Sequence, residues 1–292
     1  MSTVTKPAGP VRKLGIILEM IKFEHTVFAL PFALASALVA ARGLPDWRTL
    51  GWIVTAMVGA RSAAMAFNRI ADAKLDSANP RTASRAIPAG LVSIGAAWVF
   101  TLASAGLLVL SAYMLNPLAF VLSPAALVVV LGYSYSKRFT SLSHLWLGLS
   151  LGIAPVGAWV AVRGEIGFPS MVLSAAVMFW TAGFDIIYSL QDIDFDRETG
   201  LFSLPSRVGP ARALLTSRLF HIGMVALLVW FGMLTGRGLT YFVGVGLVAL
   251  FLVYEQSLVS ARDFSRINTA FFTLNGCVSL ALAAFVAVDV LM

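Results

Sequence analysis

The chain has 292 residues, 59% of them hydrophobic and only 12% charged, with a mean hydropathy of +0.87 and a formal charge of +7. Soluble domains carry about 25% charged residues, so a soluble enzyme and a disordered chain are excluded. One cysteine and three histidines likewise exclude a disulfide scaffold and a Cys/His metal cluster, which leaves an all-α, polytopic integral membrane protein.

The N-terminal segment is basic, and Ala33–Ala35 has the small-residue pattern of a cleavage site. Glu19, Lys22, Glu24 and His25 interrupt the apolar core that a signal peptide would need, so cleavage is not expected. Nine spans are expected, near residues 14–42, 47–71, 93–115, 118–136, 143–162, 167–190, 211–234, 238–260 and 267–290. The stretch between Arg85 and Lys137 has no charged residue and is broken only by Asn116-Pro117, so it holds two of them. The runs are continuous rather than alternating, which disfavours a β-barrel. Sixteen of the 21 Lys and Arg residues fall on the side of the N-terminus and four on the other. By the positive-inside rule the N-terminus lies in the cytoplasm, with Trp47, Trp159 and Trp230 near the outer boundary. The high isoelectric point is thus topological and gives little support to a nucleic-acid partner.

Seven of the 14 acidic residues, Asp72, Asp76, Asp185, Asp192, Asp194, Asp196 and Glu198, lie at the inner ends of spans two and six. Asn68, Asp72 and Asp76 are spaced i, i+4, i+8 and share one helical face; Tyr188, Asp192 and Asp196 repeat that spacing, with Asp185 two turns before Asp192. Carboxylates one turn apart repel each other unless a cation sits between them. Several carboxylates and an amide oxygen suit a hard divalent cation, Mg²⁺ above all, completed by water and substrate phosphate. Each motif runs into a long loop, one with Arg81 and Arg85 and one with Arg197 and Arg207; loops of this length are usually functional. Acids, metal and arginines together describe a pyrophosphate site.

The two motifs lie 120 residues apart on spans that run in the same direction. This fits a single membrane domain, residues 1–292, with an internal four-helix repeat (spans near 14–136 and 143–260) plus a ninth span at 267–290. A single Asp pair at a helix end is more simply a solvated terminus; two pairs in register, in a chain this poor in acids, favour a site. Arg61, seven residues before Asn68 on the same face, is either a partner for the acids or a cavity-lining residue. Lys137 and Arg138 are either topology markers or anion ligands. Glu24 and His25 are further candidates for the cavity wall, and Cys277 reads as core. A secondary transporter is the rival of another class, but it expects carboxylates near the bilayer midplane on broken helices. A membrane transferase acting on another diphosphate is a second rival.

Asn68-x3-Asp72-x3-Asp76 with Tyr188-x3-Asp192-x3-Asp196 resembles the UbiA-type intramembrane aromatic prenyltransferases. Similar stretches include 22–31, 59–68, Asn79-Pro-Arg81-Thr and 133–140. Within that family the pattern is most similar to the branch that prenylates 4-hydroxybenzoate for ubiquinone, and it shares much with a menaquinone-pathway branch whose aromatic acceptor is larger. The resemblance implies nine helices around a central cavity, a cytoplasmic polar cap and an active site facing the cytoplasm in the inner membrane. It implies Mg²⁺-assisted transfer of a polyprenyl group from its diphosphate to an aromatic acceptor by electrophilic substitution. Asn68, Asp72, Asp76, Asp192 and Asp196 would hold the metal, with Asp72, Asp192 and Arg138 catalytic. Arg61, Arg81, Arg85, Lys137, Arg138, Tyr188 and Arg207 would bind substrate. Asp194, at i+2, points away from the Asp192 face and is left out.

Overall fold

The computed structural model describes residues 15, 16, 19, 20 and 26–292. The expectations for Lys22, Glu24, His25 and the N-terminal end of span one lie outside the described residues. In chain order the helices are α1 (Thr26–Ala41), α2 (Trp47–Ala71), α3 (Ala73–Ala78), α4 (Ile94–Leu115), α5 (Pro117–Ser136) and α6 (Ser143–Arg163). Then follow α7 (Phe168–Ser189), a 3₁₀ turn (Leu190–Asp192), α8 (Ile193–Glu198), α9 (Leu204–Val208), α10 (Pro210–Leu234) and α11 (Leu239–Ser257). A π-helical turn (Thr269–Leu274) leads into α12 (Asn275–Leu291). Among the described residues eight helical segments are long and apolar enough to cross a bilayer. They match the second to ninth expected spans. The first is represented by α1, a shorter apolar helix of 16 residues, so the count of nine rests on the sequence for that member.

The helix ends follow from local chemistry. Asp46 caps α2 by accepting from Thr49 N–H (2.9 Å), Ser93 caps α4 through Ala96 N–H, and Asn116 caps α5 through Ala119 N–H with Pro117 in the first turn. Each such cap contributes ~1 kcal/mol. Asn116 also donates to the Val160 carbonyl at 2.8 Å, pinning the turn between α4 and α5 onto α6. Gly164, with φ +70°, ends α6 in the left-handed conformation that glycine adopts without penalty.

The central helix is α7, the most buried of the membrane-length helices, flanked by α6 and α10. Trp180, Phe184 and Val177 of α7 join Phe32 of α1, Phe231 of α10 and Tyr241 of α11 in the main apolar core. Gly148 and Gly152, one turn apart on α6, meet the backbone of α7: a Cβ at Gly148 would collide with the Met178 carbonyl, and one at Gly152 would stand 2.8 Å from that of Ser174. Small residues at this spacing allow the close helix contact that replaces the hydrophobic effect inside a bilayer. α2 packs on α4, and α1 on α6 and α12. Of the expected outer-boundary tryptophans, Trp47 and Trp230 are exposed, while Trp159 packs partly into the core.

A buried polar knot shapes the start of α12. Asn275 Nδ2 donates to Glu255 Oε1 (3.1 Å) and to the carbonyls of Ala270 and Phe271, and Asn275 Oδ1 accepts from Trp180 Nε1 (2.6 Å). These bonds satisfy carbonyls of the π turn, a conformation frequent at functional sites. They also set Phe271 against Tyr188, with ring centroids 4.2 Å apart.

Candidate active site

Both acidic motifs begin where a membrane helix breaks. α2 ends at Ala71, Asp72 takes φ −92° and ψ 3°, and α3 starts at Ala73. The expected continuous helix over Asn68–Asp76 is thus interrupted. The backbone bonds Asp72 N→Asn68 O (2.9 Å) and Asp76 N→Asp72 O (2.7 Å) nevertheless persist across the break, so the three side chains still face one space. α7 ends at Ser189, and its 3₁₀ turn and α8 carry Asp192 and Asp196 in the same way.

The five residues expected to hold a metal, Asn68, Asp72, Asp76, Asp192 and Asp196, all line one polar cavity of about 170 Å³. Asp72, Asp76 and Asp196 are buried. Lys137 Nζ donates to Asp72 Oδ2 at 2.6 Å, Arg138 Nη2 to Asp72 Oδ1 at 3.1 Å, and Asn68 Nδ2 to Asp72 Oδ2 at 3.3 Å. Arg85 Nη1 donates to Asp76 Oδ1 at 2.7 Å. Arg81 grips Asp192 with two parallel bonds, Nε to Oδ1 (2.8 Å) and Nη2 to Oδ2 (2.5 Å), while Nη1 donates to the Tyr188 hydroxyl (3.3 Å). Burial works against the charge of Arg81, but the Asp192 carboxylate outweighs it and lifts the guanidinium above its ordinary pKa. Asn79 Nδ2 adds a bond to Asp192 Oδ1 at 3.0 Å.

The donor set fits magnesium: its ligands are oxygens, and Asp76 Oδ2 is buried with no hydrogen-bond partner. Among the described residues no three His, Cys, Asp or Glu form a ready-made metal cluster. Magnesium does not require one, because it takes one or two carboxylates and leaves other positions to water and phosphate.

A second, larger cavity of about 850 Å³ runs from Arg61 and Met65 past Met57, Leu122 and Ile153 to Leu115 and Ile166, and is mostly apolar. Asn68, Arg81, Arg85, Tyr133, Asp185 and Tyr188 line both cavities and form the ring where polar cap meets apolar chamber. Arg61 lines the large chamber, in keeping with the second of its two readings.

Two expected residues sit elsewhere. Arg207 is exposed, lies over the Phe202 ring at 3.8 Å, and lines neither cavity. A basic loop residue identifies a side of the membrane as readily as a ligand, and here it packs on its own loop. Arg138 also lines neither cavity; it holds the Ala71 carbonyl (2.5 Å) and Asp72, and so acts through that aspartate. Asp194 is exposed beside Arg197, away from the site, as its i+2 position implied. Sequence reasoning missed Asn79 as a partner of Asp192 and left out His144, whose Nδ1 stands 2.7 Å from Asp185 Oδ2. The Asn79-Pro-Arg81 turn, which sets two Asp192 partners two residues apart, was the signal available for the first.

A family model described as the UbiA prenyltransferase family matches residues 29–277. A protein of Vibrio vulnificus named 4-hydroxybenzoate octaprenyltransferase is 34% identical over 277 residues, covering 93% of this chain and 95% of that one. The apo structure of a UbiA homolog from Aeropyrum pernix K1 is 38% identical, with a TM-score of 0.84 over 92% of this chain and 98% of that one. A UbiA homolog from Archaeoglobus fulgidus bound to GPP and Mg²⁺ shares the fold, with a TM-score of 0.76 at 18% identity over 94% of this chain and 99% of that one. With the paired motifs facing one cavity, the family match over most of the chain means that this protein belongs to the UbiA family of prenyltransferases.

Proposed function

We propose that the protein transfers a polyprenyl group from its diphosphate to 4-hydroxybenzoate, with the diphosphate in the polar cap and the tail in the apolar chamber. The observation that carries this reading is the shared ring: six residues line both cavities, so a molecule with a charged head and an apolar tail fits with its reacting bond at the junction. The substrate follows the name of the 34% identical relative.

Asn68, Asp72, Asp76, Asp192 and Asp196 would hold magnesium, which neutralises negative charge on the leaving diphosphate. Lys137, Arg81 and Arg85 already stand on those carboxylates, so they can exchange a carboxylate for a phosphate oxygen without moving far. The apolar chamber excludes the water that would otherwise capture an allylic cation. Arg61, facing that chamber, is the cationic partner for the acceptor's carboxylate. The excess of basic residues on the same side supports a cap on the cytoplasmic face of the inner membrane. The matching breaks at Asp72 and after Ser189 support reading residues 1–292 as one domain built on a four-helix repeat.

The test is incubation of purified protein with a radiolabelled polyprenyl diphosphate, Mg²⁺ and a panel of aromatic acids, with products identified by mass. Prenylated 4-hydroxybenzoate is expected. Its methyl ester should be a poorer acceptor by roughly ten- to a hundred-and-fifty-fold in kcat/KM, the equivalent of one charged hydrogen bond of about 1.5–3 kcal/mol. A preference for a larger bicyclic acid would move the protein to the menaquinone-pathway reading, and no prenylated aromatic at all would overturn the proposal.

A further inference from the structure

Asp185 differs from three of the carboxylates that face the cap. Asp72, Asp76 and Asp192 each touch a lysine or arginine. The partner of Asp185 is instead His144, a buried residue in the first turn of α6, with Nδ1 at 2.7 Å from Asp185 Oδ2. The other ring nitrogen fixes the tautomer. The backbone N–H of Leu204, at the start of α9, donates to His144 Nε2 at 3.1 Å. A backbone N–H can only donate, so Nε2 carries no proton and Nδ1 carries it, pointing at Asp185. The imidazole is thus neutral, and Asp185 receives an oriented hydrogen bond without a neutralising charge.

Its place in the fold gives this carboxylate a use. Asp185 is in the ring common to both cavities, beside Tyr133 and Tyr188, whereas His144 lines only the polar one. A base locked in position by a second residue, which is itself locked by a third group, is the arrangement by which enzymes aim a proton acceptor.

We propose that Asp185 takes the proton that the aromatic acceptor loses, and that His144 is its positioning residue. The inference rests on the prenyl-transfer reading above. As the C1–O bond of the prenyl diphosphate breaks, its electron pair leaves with the diphosphate. A ring carbon ortho to the acceptor's hydroxyl forms the new C–C bond from a ring electron pair. The C–H bond at that carbon then breaks, its electron pair restores the aromatic ring, and the proton goes to the carboxylate of Asp185. From there it passes to water through the polar cavity. No oxidant or further reactant is needed.

The experiment separates ionisation from proton removal. Ionisation is read as migration of an ¹⁸O label from the bridging to the non-bridging positions of the prenyl diphosphate. The probe is added with 3,5-dimethyl-4-hydroxybenzoate, whose ortho positions are blocked. Proton removal is read as the isotope effect on transfer to ring-deuterated 4-hydroxybenzoate. For Asp185→Asn we expect label migration within about twofold of wild type and transfer reduced by about a hundredfold or more, the scale of general-base catalysis. A primary isotope effect absent from wild type should appear. His144→Ala should show the same isotope effect with a smaller loss in kcat and little change in KM. Retained label migration also reports that the variant is folded. Asp185→Asn losing migration together with transfer would assign Asp185 to the diphosphate and overturn the proposal. So would unchanged transfer, or reduced transfer with no isotope effect in either variant. Wild type that neither migrates label nor transfers would remove the underlying prenyl-transfer reading instead.

Discussion

Asp72 and Asp192 head matching motifs, yet they draw their cations from different parts of the chain. Asp72 is held by Lys137 and Arg138 from the loop after α5, and Asp192 by Arg81 and Asn79 from the loop after α3. The loop after α3 therefore serves both motifs: Arg85 stays on Asp76 of its own motif while Arg81 crosses to the other. The first motif has two cations on its leading aspartate, each by a single bond, and the second has one arginine gripping through two. Redundancy protects the first, and geometry carries the second.

Removal of divalent cations, which strikes both motifs, should have the largest effect and abolish radiolabel transfer. Asp72→Asn and Asp192→Asn should each lower turnover by about a hundredfold or more, the scale of losing one preorganised electrostatic group. Full activity in a chelator, or in either variant, would break the comparison at its root. Arg81→Lys keeps the charge but removes the fork, and should cost about tenfold in kcat/KM, equal to about 1.4 kcal/mol. Lysine serving as well as arginine there would show that charge alone matters at the second motif. Asn79→Ala removes one hydrogen bond to Asp192, about 1 kcal/mol, and should lower kcat/KM about fivefold. Arg138→Lys should cost least, about twofold, because Lys137 remains on Asp72. A large loss in that variant would mean that Arg138 meets substrate directly.

Much of this was legible in the sequence, for identifiable reasons. Uncharged runs mark bilayer spans because no water is present to solvate a charge, and eight of the expected spans match membrane-length helices. The i, i+4 spacing placed Asn68, Asp72 and Asp76 on one wall, and backbone bonds keep them there although the helix breaks at Asp72. Crossed pairings were not legible. Arg81 and Asp192 are 111 residues apart and His144 and Asp185 are 41 apart, and no local pattern encodes either contact. Arg207 was misplaced because charge in a loop has two causes, topology and binding, and composition does not separate them. The π turn was hidden for another reason: it depends on Asn275 reaching Glu255 and Trp180 on two other helices.

The distances along the chain between partners in the cap also give its contacts an order in time. Arg85 emerges nine residues after Asp76, so that pair can close as soon as the loop is made. Lys137 follows Asp72 by 65 residues, and Asp192 follows Arg81 by 111. At 5–20 residues per second of synthesis, Arg81 waits roughly 5–20 s for its carboxylate. When α7 and its 3₁₀ turn arrive, the same side chain closes onto Asp192 and ties the second half of the protein to the first. One guanidinium thus closes the longest of these loops and clasps the finished chain.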